Sequence, residues 1–453
     1  MFDLCIKNGH IVNHNHSLTG NIYVKGEKIA AITMGGADFE ARETIDCTGK
    51  LVMPGFVDPH AHLNDPGYTD GEDFYTGTCS AAAGGITTVM EHPLTDPLPS
   101  KKEILMDKNR IVGAKAVADY ALFGACTPDN YEDIGGMADT GAVAFKGFLT
   151  SSPEMPRLSD WQVVQHMINL RGKGPLLPIH CENEEIIQGA VERLKKDGRT
   201  SPKDYCDSRP GIGEAEAIDR MCFFAERTGG KIHVVHCSIP VGIEIVESYK
   251  QKGVDVTVET CPHYLVFDQE DVERQGVYAI CNPPIRNRAD VELLWEKVLE
   301  GKVDFIGSDH APYTFAEKEK GVGDVFETPA GLAGIQSGFL AFFSEGVKRR
   351  GMPLEQFAAM TSTNAAKRYG IFPKKGILAV GADADMVVID PRGKSMVAKE
   401  QLFYKMKWTP YMGKELDGVI EKTILRGTTV YSAGRICVDP GFGRYVPREG
   451  GRP

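Results

Sequence analysis

Between about Pro54 and Phe372 the chain passes through eight short apolar segments, each separated from the next by a connecting stretch that includes helix-length amphipathic runs. They are GFVDPH, ITTVMEH, ADYALFGA, GAVAFKG, PLLPIH, KIHVVH, DVTVET and VDFIGSD. Runs this short and this apolar suit strands buried on both faces, and their alternation with helices makes such strands parallel. Eight of them predict an α/β fold of the closed (β/α)₈ barrel type, a TIM-like barrel. An open doubly wound sheet is the alternative. Against it, no GxGxxG follows the first run, and Gly84 and Gly85 precede a strand instead of opening a helix, so no dinucleotide cradle is expected.

The ends of the chain have a different texture. DLCIKNGHIV, GNIYVKGEKIAAI and ETIDCTGKLV alternate apolar residues with turn residues, and GADADMVVID and KTILRGTTVYSAGRI repeat that signature near the C-terminus. The two ends are therefore expected to pair into one small β-sandwich domain, 1–53 plus 373–453, beside a barrel of 54–372. A chain of 453 residues is long enough for both. Its 42% hydrophobic and 25% charged residues exclude a disordered or membrane-embedded protein. The net charge of -11 is spread along the chain with no Lys/Arg stripe, so nucleic acid is not an expected partner. With no signal-like leader and no run of about 20 apolar residues, no membrane association is expected and a cytoplasmic protein is. The eleven cysteines occur singly and read as reduced, packing thiols.

Several of the apolar runs end in side chains that are costly to bury without a purpose. His60 and His62 follow the first run, Lys146 lies in the fourth, His180 and His236 end the fifth and sixth, and Asp309 ends the eighth. In a barrel these positions share one rim, where barrel enzymes place their chemistry. Imidazole and carboxylate there are ligands for zinc, manganese or iron. His60 and His62, two apart, point to one face of a strand and can grip one ion together. The plain alternative is a hydrogen-bonded pair at a strand end, the class to which His10, His14, His16, His166 and His233 are assigned. Lys146 is open to two readings: an ammonium snorkelling or ion-paired, or an amine neutralised by burial that takes up carbon dioxide as a carbamate able to bridge two metals. Asp309 suits a helix N-cap before HAP, yet its company favours a carboxylate that coordinates and shuttles a proton.

The blocks PGFVDPHAHLNDPG, AAAGGITTVMEHP, FKGFL, IHCENEEI, VVHCS, VETCPHYL, CNPPIR, GSDHAP and STNAAKRYGIFPKKGILAVGADADMVVIDP, taken in order, resemble the amidohydrolase superfamily. Within it the likeness is to the cyclic amidohydrolases, the allantoinases, dihydroorotases, dihydropyrimidinases and hydantoinases. The resemblance spans nearly the whole chain. It implies two divalent ions, zinc first with manganese, iron or cobalt as alternatives, bridged by carboxylated Lys146 and a hydroxide. His60, His62 and Asp309 would bind one ion and His180 and His236 the other, with Asp309 as general acid/base. The implied reaction opens a small cyclic amide or ureide, and the implied assembly is a homodimer or homotetramer.

Subgroup patterns narrow the substrate. Dihydroorotases carry an arginine two residues after the second histidine, where this chain has Asn64, and an amide cannot replace a bidentate guanidinium. D-type hydantoinases and dihydropyrimidinases carry a tyrosine five residues after the lysine, where this chain has Ser151. HLNDPG, FKGFL, VETCPHYL and KWTPYMGKEL are most similar to allantoinases, so the expected reaction is allantoin to allantoate, with hydantoinase, dihydropyrimidinase or dihydroorotase activity as the alternative. Asn282 would line the substrate pocket by the same analogy, its plain role being a turn residue before two prolines. His92 and His263 are read as structural rim residues. Some relatives of this fold have lost the metal ligands and serve as scaffolds; all six ligand positions are intact here, which argues against that role.

Overall fold

The computed structural model describes residues 1–34 and 38–449. Each of the eight apolar runs contributes a strand, and the strands line up in chain order in one sheet. They are β1 (Phe56–Ala61), β2 (Ile86–Glu91), β3 (Asp119–Ala125), β4 (Ala144–Phe148), β5 (Leu177–His180), β6 (Ile232–Val234), β7 (Val256–Thr260) and β8 (Phe305–Ile306). Successive strands pair in parallel throughout. The sheet then comes back on itself. Just past β8, the Asp309 amide donates to the His60 carbonyl at 2.9 Å, and the His62 amide donates to the His310 carbonyl at 2.7 Å. These bonds leave the barrel nearly closed, as expected from the sequence.

Helices Phe74–Ala83, Lys102–Gly113, Asp160–Leu170, Gly211–Thr228, Pro240–Gln251 and Arg288–Leu299 lie in the connections between strands. Several begin where a short polar side chain satisfies an otherwise orphaned amide. Asp73 accepts from the Thr76 amide, Ser159 from that of Gln162 and Asn287 from that of Asp290. The long helix Gly211–Thr228 stops at Gly229, whose φ of 67° is a left-handed cap that a Cβ would oppose.

β6 and β8 are shorter than the apolar runs that announced them. The runs reach His236 and Asp309, whereas the strands end at Val234 and Ile306. Past those points regular pairing is interrupted, although the Cys237 amide still bonds the Glu259 carbonyl at 2.8 Å and the Gly307 amide the Thr260 carbonyl at 3.2 Å, and His236 and Asp309 adopt φ of 39° and 46°. Side chains replace ladder carbonyls as acceptors there: the Ser308 amide donates to Asp58 Oδ1 at 2.9 Å and the His236 amide to Glu259 Oε1 at 3.3 Å. Both strained residues are candidate ligands, as expected where backbone strain aims a functional group.

The two ends of the chain do form one sheet. Phe2–Val12, Ser17–Lys25, Lys28–Thr33, Ala41–Asp46 and Leu51–Pro54 come from one end, and Met386–Met396, Glu415–Leu425, Thr428–Ser432 and Arg435–Ile436 from the other. They meet where Leu51–Pro54 pairs antiparallel with Met386–Ile389. Ile6, Ile11, Ile22, Val24, Val388 and Ile424 give this sheet a hydrophobic core of its own. A buried charge cluster pins it to the barrel. Lys375 contacts Asp119 at 2.6 Å, Asp385 at 2.7 Å and Asp383 at 2.9 Å, and Arg426 also pairs with Asp119. Asp119 opens β3 and Asp385 precedes the strand Met386–Met396, so the ammonium bridges the two layers; charges this deep persist only when paired.

Among the described residues no helix is long and apolar enough to cross a membrane. All cysteines are free, and all but Cys437 are buried.

Candidate active site

The ends of β1, β4, β5, β6 and β8 bring together all six residues singled out as ligands. His60, His62, Lys146, His180, His236 and Asp309 line one cavity of about 580 Å³. Their nitrogens fall into two sets. His60 Nε2 and His62 Nε2 approach the same oxygen of Asp309, at 3.2 and 3.4 Å. His180 Nδ1 and His236 Nε2 lie 3.0 Å apart. The sets are neighbours, since the rings of His60 and His236 are 5.3 Å apart.

Lys146 is fully buried, and its Nζ has no hydrogen-bond partner among the described residues. It sits 4.9 Å from the ring of Phe148, which is itself stacked on His180. Burial lowers the ammonium to about 8, against the opposing pull of Asp309 and Glu259. A neutral amine is thus accessible near neutral pH, and only the neutral amine can take up carbon dioxide. Burial lowers His62 to about 4 and holds His236 well below the usual imidazole range. Burial alone would raise the Asp309 carboxyl, but its interactions with the imidazoles of His60, His62 and His236 outweigh it and hold Asp309 well below the ordinary carboxylate range. Neutral His62 and His236 beside an ionised carboxylate are in the protonation states that divalent cations require, and Lys146 Nζ is an orphaned buried atom lining the same cavity. This donor set fits two divalent cations.

A ring of buried charge holds the ligands in place. His60 Nδ1 is bonded to Glu259. His180 Nε2 is bonded to Glu182 at 2.8 Å, and Arg209 pairs with the same carboxylate. Arg286 pairs with Glu214 at 2.8 Å, and Glu214 accepts from the Ser238 amide just beyond His236 at 2.8 Å. His92, read as structural, stacks on His60 with centroids 3.7 Å apart and bonds the Pro59 carbonyl at 3.2 Å. His263 lies beside Cys261 and Asp309. Burial pushes the thiols of Cys181, Cys237 and Cys261 well above their ordinary range, so they pack as thiols.

The three residues assigned to substrate are divided by the structure. Ser151 and Asn282 line the main cavity, and the Tyr205 hydroxyl donates to Asn282 Oδ1 at 2.8 Å. Asn64, at a φ of 60°, lines an adjoining pocket of about 230 Å³ that shares His62 with the main cavity. Among the described residues no arginine lines either space, whereas Glu154 and Glu317 line both.

The match to known proteins covers the chain. The model of the Amidohydrolase family matches residues 51–430. The chain belongs to the amidohydrolase family. An allantoinase of Rubrobacter xylanophilus is 38% identical over 451 residues, covering 98% of this chain and 97% of that protein. An allantoinase of Salmonella newport is 37% identical over 452 residues, covering 98% of each. Among solved structures, the L-hydantoinase (dihydropyrimidinase) of Arthrobacter aurescens superposes with a TM-score of 0.97 at 34% identity, covering 99% of this chain and 100% of that one. The dihydropyrimidinase of Brevibacillus agri superposes with a TM-score of 0.92 at 30% identity over 100% of both chains. The expected fold and the expected cyclic amidohydrolase enzyme are both borne out.

Sequence reasoning passed over Glu259, Glu182 and Tyr205. Glu259 carried the signal that drew attention to Lys146, a charge in an apolar strand, DVTVET. Glu182 lies two residues after His180, the spacing that already linked His60 to His62. Tyr205, in a helix far from any strand end, carried no such signal.

Proposed function

We propose that this amidohydrolase opens the ring of allantoin to give allantoate, with 54–372 as its catalytic barrel and 1–53 plus 373–453 as a supporting β domain. The observation that carries the reading is the convergence of four histidines, Lys146 and Asp309 from five strand ends on one cavity. His60, His62 and Asp309 would hold one divalent ion and His180 and His236 the other, with Lys146 bridging them as its carbamate. Zinc suits this imidazole-rich set best, manganese, iron and cobalt being the alternatives. Bound ions supply a Lewis acid for the ring carbonyl and lower the pKa of water toward neutrality.

The chain's own groups do the rest. Asp309, kept ionised by the imidazoles around it, accepts the proton of the attacking water and returns it to the ring nitrogen as the C–N bond breaks. The products are a ureido NH₂ and a carboxylic acid, which ionises and releases the second proton of the water to solvent, so atoms and protons balance. Because the Tyr205 hydroxyl occupies Asn282 Oδ1, the Asn282 amide hydrogens serve as donors to a substrate carbonyl. Among the described residues the cavity lining offers no arginine for bidentate capture of a ring carboxylate, which disfavours dihydroorotate. Ser151 in place of a tyrosine disfavours the D-hydantoinase and dihydropyrimidinase reading, and the similarity to allantoinases supports allantoin. A homodimer or homotetramer in the cytoplasm completes the proposal.

The test is a ring-opening assay of zinc-loaded protein on allantoin, dihydroorotate, dihydrouracil and 5-substituted hydantoins. The highest kcat/KM is expected for allantoin. A higher value for any of the others would replace the substrate while leaving the bond class in place.

A further inference from the structure

We infer that Glu259 is a positioning residue that keeps the ligands of both ion sites in register through a single buried carboxylate. The inference rests on the ligand set proposed above. Glu259 lies in β7, which contributes none of the six ligands, and it is completely buried. Its Oε1 contacts both halves of the centre: it is bonded to His60 Nδ1 and accepts the backbone N–H of His236 at 3.3 Å. Its Oε2 lies 3.2 Å from His233 Nε2, and His233 Nδ1 lies 2.9 Å from the Thr257 hydroxyl. One side chain therefore ties β1 and the segment beyond β6 to β7, and lies against His233 of β6.

Two consequences follow for the ligands. A carboxylate on His60 Nδ1 keeps the proton on that nitrogen, which leaves the Nε2 lone pair directed toward Asp309. His236, at a φ of 39°, has turned its amide out of the strand ladder, and Glu259 supplies the acceptor that a buried amide needs. The neighbouring strand is shaped for the same carboxylate. A Cβ on Gly307 would come within 2.8 Å of His60 Cβ and 3.1 Å of Glu259 Oε2, so glycine there leaves room for ring and carboxylate together.

The experiment is zinc affinity by chelator competition on purified Glu259→Gln and Glu259→Asp proteins, with His60→Ala as the reference and the cobalt-substituted absorption spectrum as a second readout. Gln preserves the volume and loses the charge; Asp preserves the charge and shortens the reach. Both are expected to bind zinc about 10- to 100-fold more weakly than the parent and to change the cobalt spectrum, while the metal-free proteins melt within a few degrees of the metal-free parent. Parental zinc affinity in both variants while His60→Ala loses metal would overturn the inference. So would weaker binding matched by an equal loss of stability without metal, which would assign Glu259 to packing alone. Undiminished metal in His60→Ala itself would overturn the ligand set, and the inference with it.

Discussion

Asp309→Asn is expected to lower kcat on the best ring substrate by about 10²- to 10⁴-fold, the range ascribed to a positioned proton-transfer group, while the protein still binds metal. The amide preserves the size of the side chain and can offer an oxygen to an ion, but it cannot hold the proton removed from water. The structure makes the comparison sharp. Both His60 Nε2 and His62 Nε2 approach one Asp309 oxygen, so the carboxylate groups with the first pair of proposed ligands and lines the cavity at once. Steady-state kinetics on protein of measured metal content separates the two roles. Parental kcat would remove Asp309 from the chemistry. Loss of metal together with activity would make it a ligand alone.

Lys146→Met is expected to act with opposite signs on function and on stability. With no amine to carry a carbamate, the two ions lose their shared ligand, and activity and two-ion binding should be lost together. The metal-free protein, by contrast, should become more stable, by about 1–3 kcal/mol, because a buried polar group without a hydrogen bond is costly and methionine of similar length is not. In the parent that cost is visible as a fully buried Nζ with no partner among the described residues and a pKa lowered to about 8. Denaturant unfolding of both metal-free proteins checks the second half. A destabilised Lys146→Met would mean that the ammonium is compensated in place and that the amine is not poised for carboxylation.

Much of this was legible in the sequence because barrels turn a one-dimensional regularity into a shared rim. Eight apolar runs place eight strands, and polar residues at the ends of runs become neighbours without any knowledge of long-range contacts. His60, His62, Lys146, His180, His236 and Asp309 were found this way, and the cavity contains all six. Strand length was less legible. DVTVET gives a five-residue strand, yet VDFIGSD gives two residues and KIHVVH three, and just past those strands the Ser308 amide bonds Asp58 and the His236 amide bonds Glu259 instead of a ladder carbonyl. Side chains competing with backbone carbonyls leave no trace in hydrophobic periodicity.

Substrate recognition was the least legible part, for a related reason. Asn64, Ser151 and Asn282 lie on connecting segments, where position depends on loop path and not on strand register. The structure separates Asn64, in the adjoining pocket, from Ser151 and Asn282 in the main cavity. Tyr205, which fixes the Asn282 amide, comes from the helix Pro202–Ser208, and nothing in its local sequence marks it as facing that loop. The buried cluster around Lys375 shows the same limit outside the site. Asp119, Asp383 and Asp385 are far apart in sequence or lie in a turn-rich segment, and only the folded chain reveals that an ammonium joins them.

The proposed reaction requires two divalent ions that share the bridging side chain of Lys146 among four histidines and Asp309. A crystal structure of the protein prepared with zinc and bicarbonate, measured on both sides of the zinc absorption edge, tests it directly. Two anomalous peaks are expected, one at His60, His62 and Asp309 and one at His180 and His236, with planar carbamate density extending from Lys146 Nζ to both. A single peak, or an unmodified lysine amine between two peaks, would contradict this arrangement.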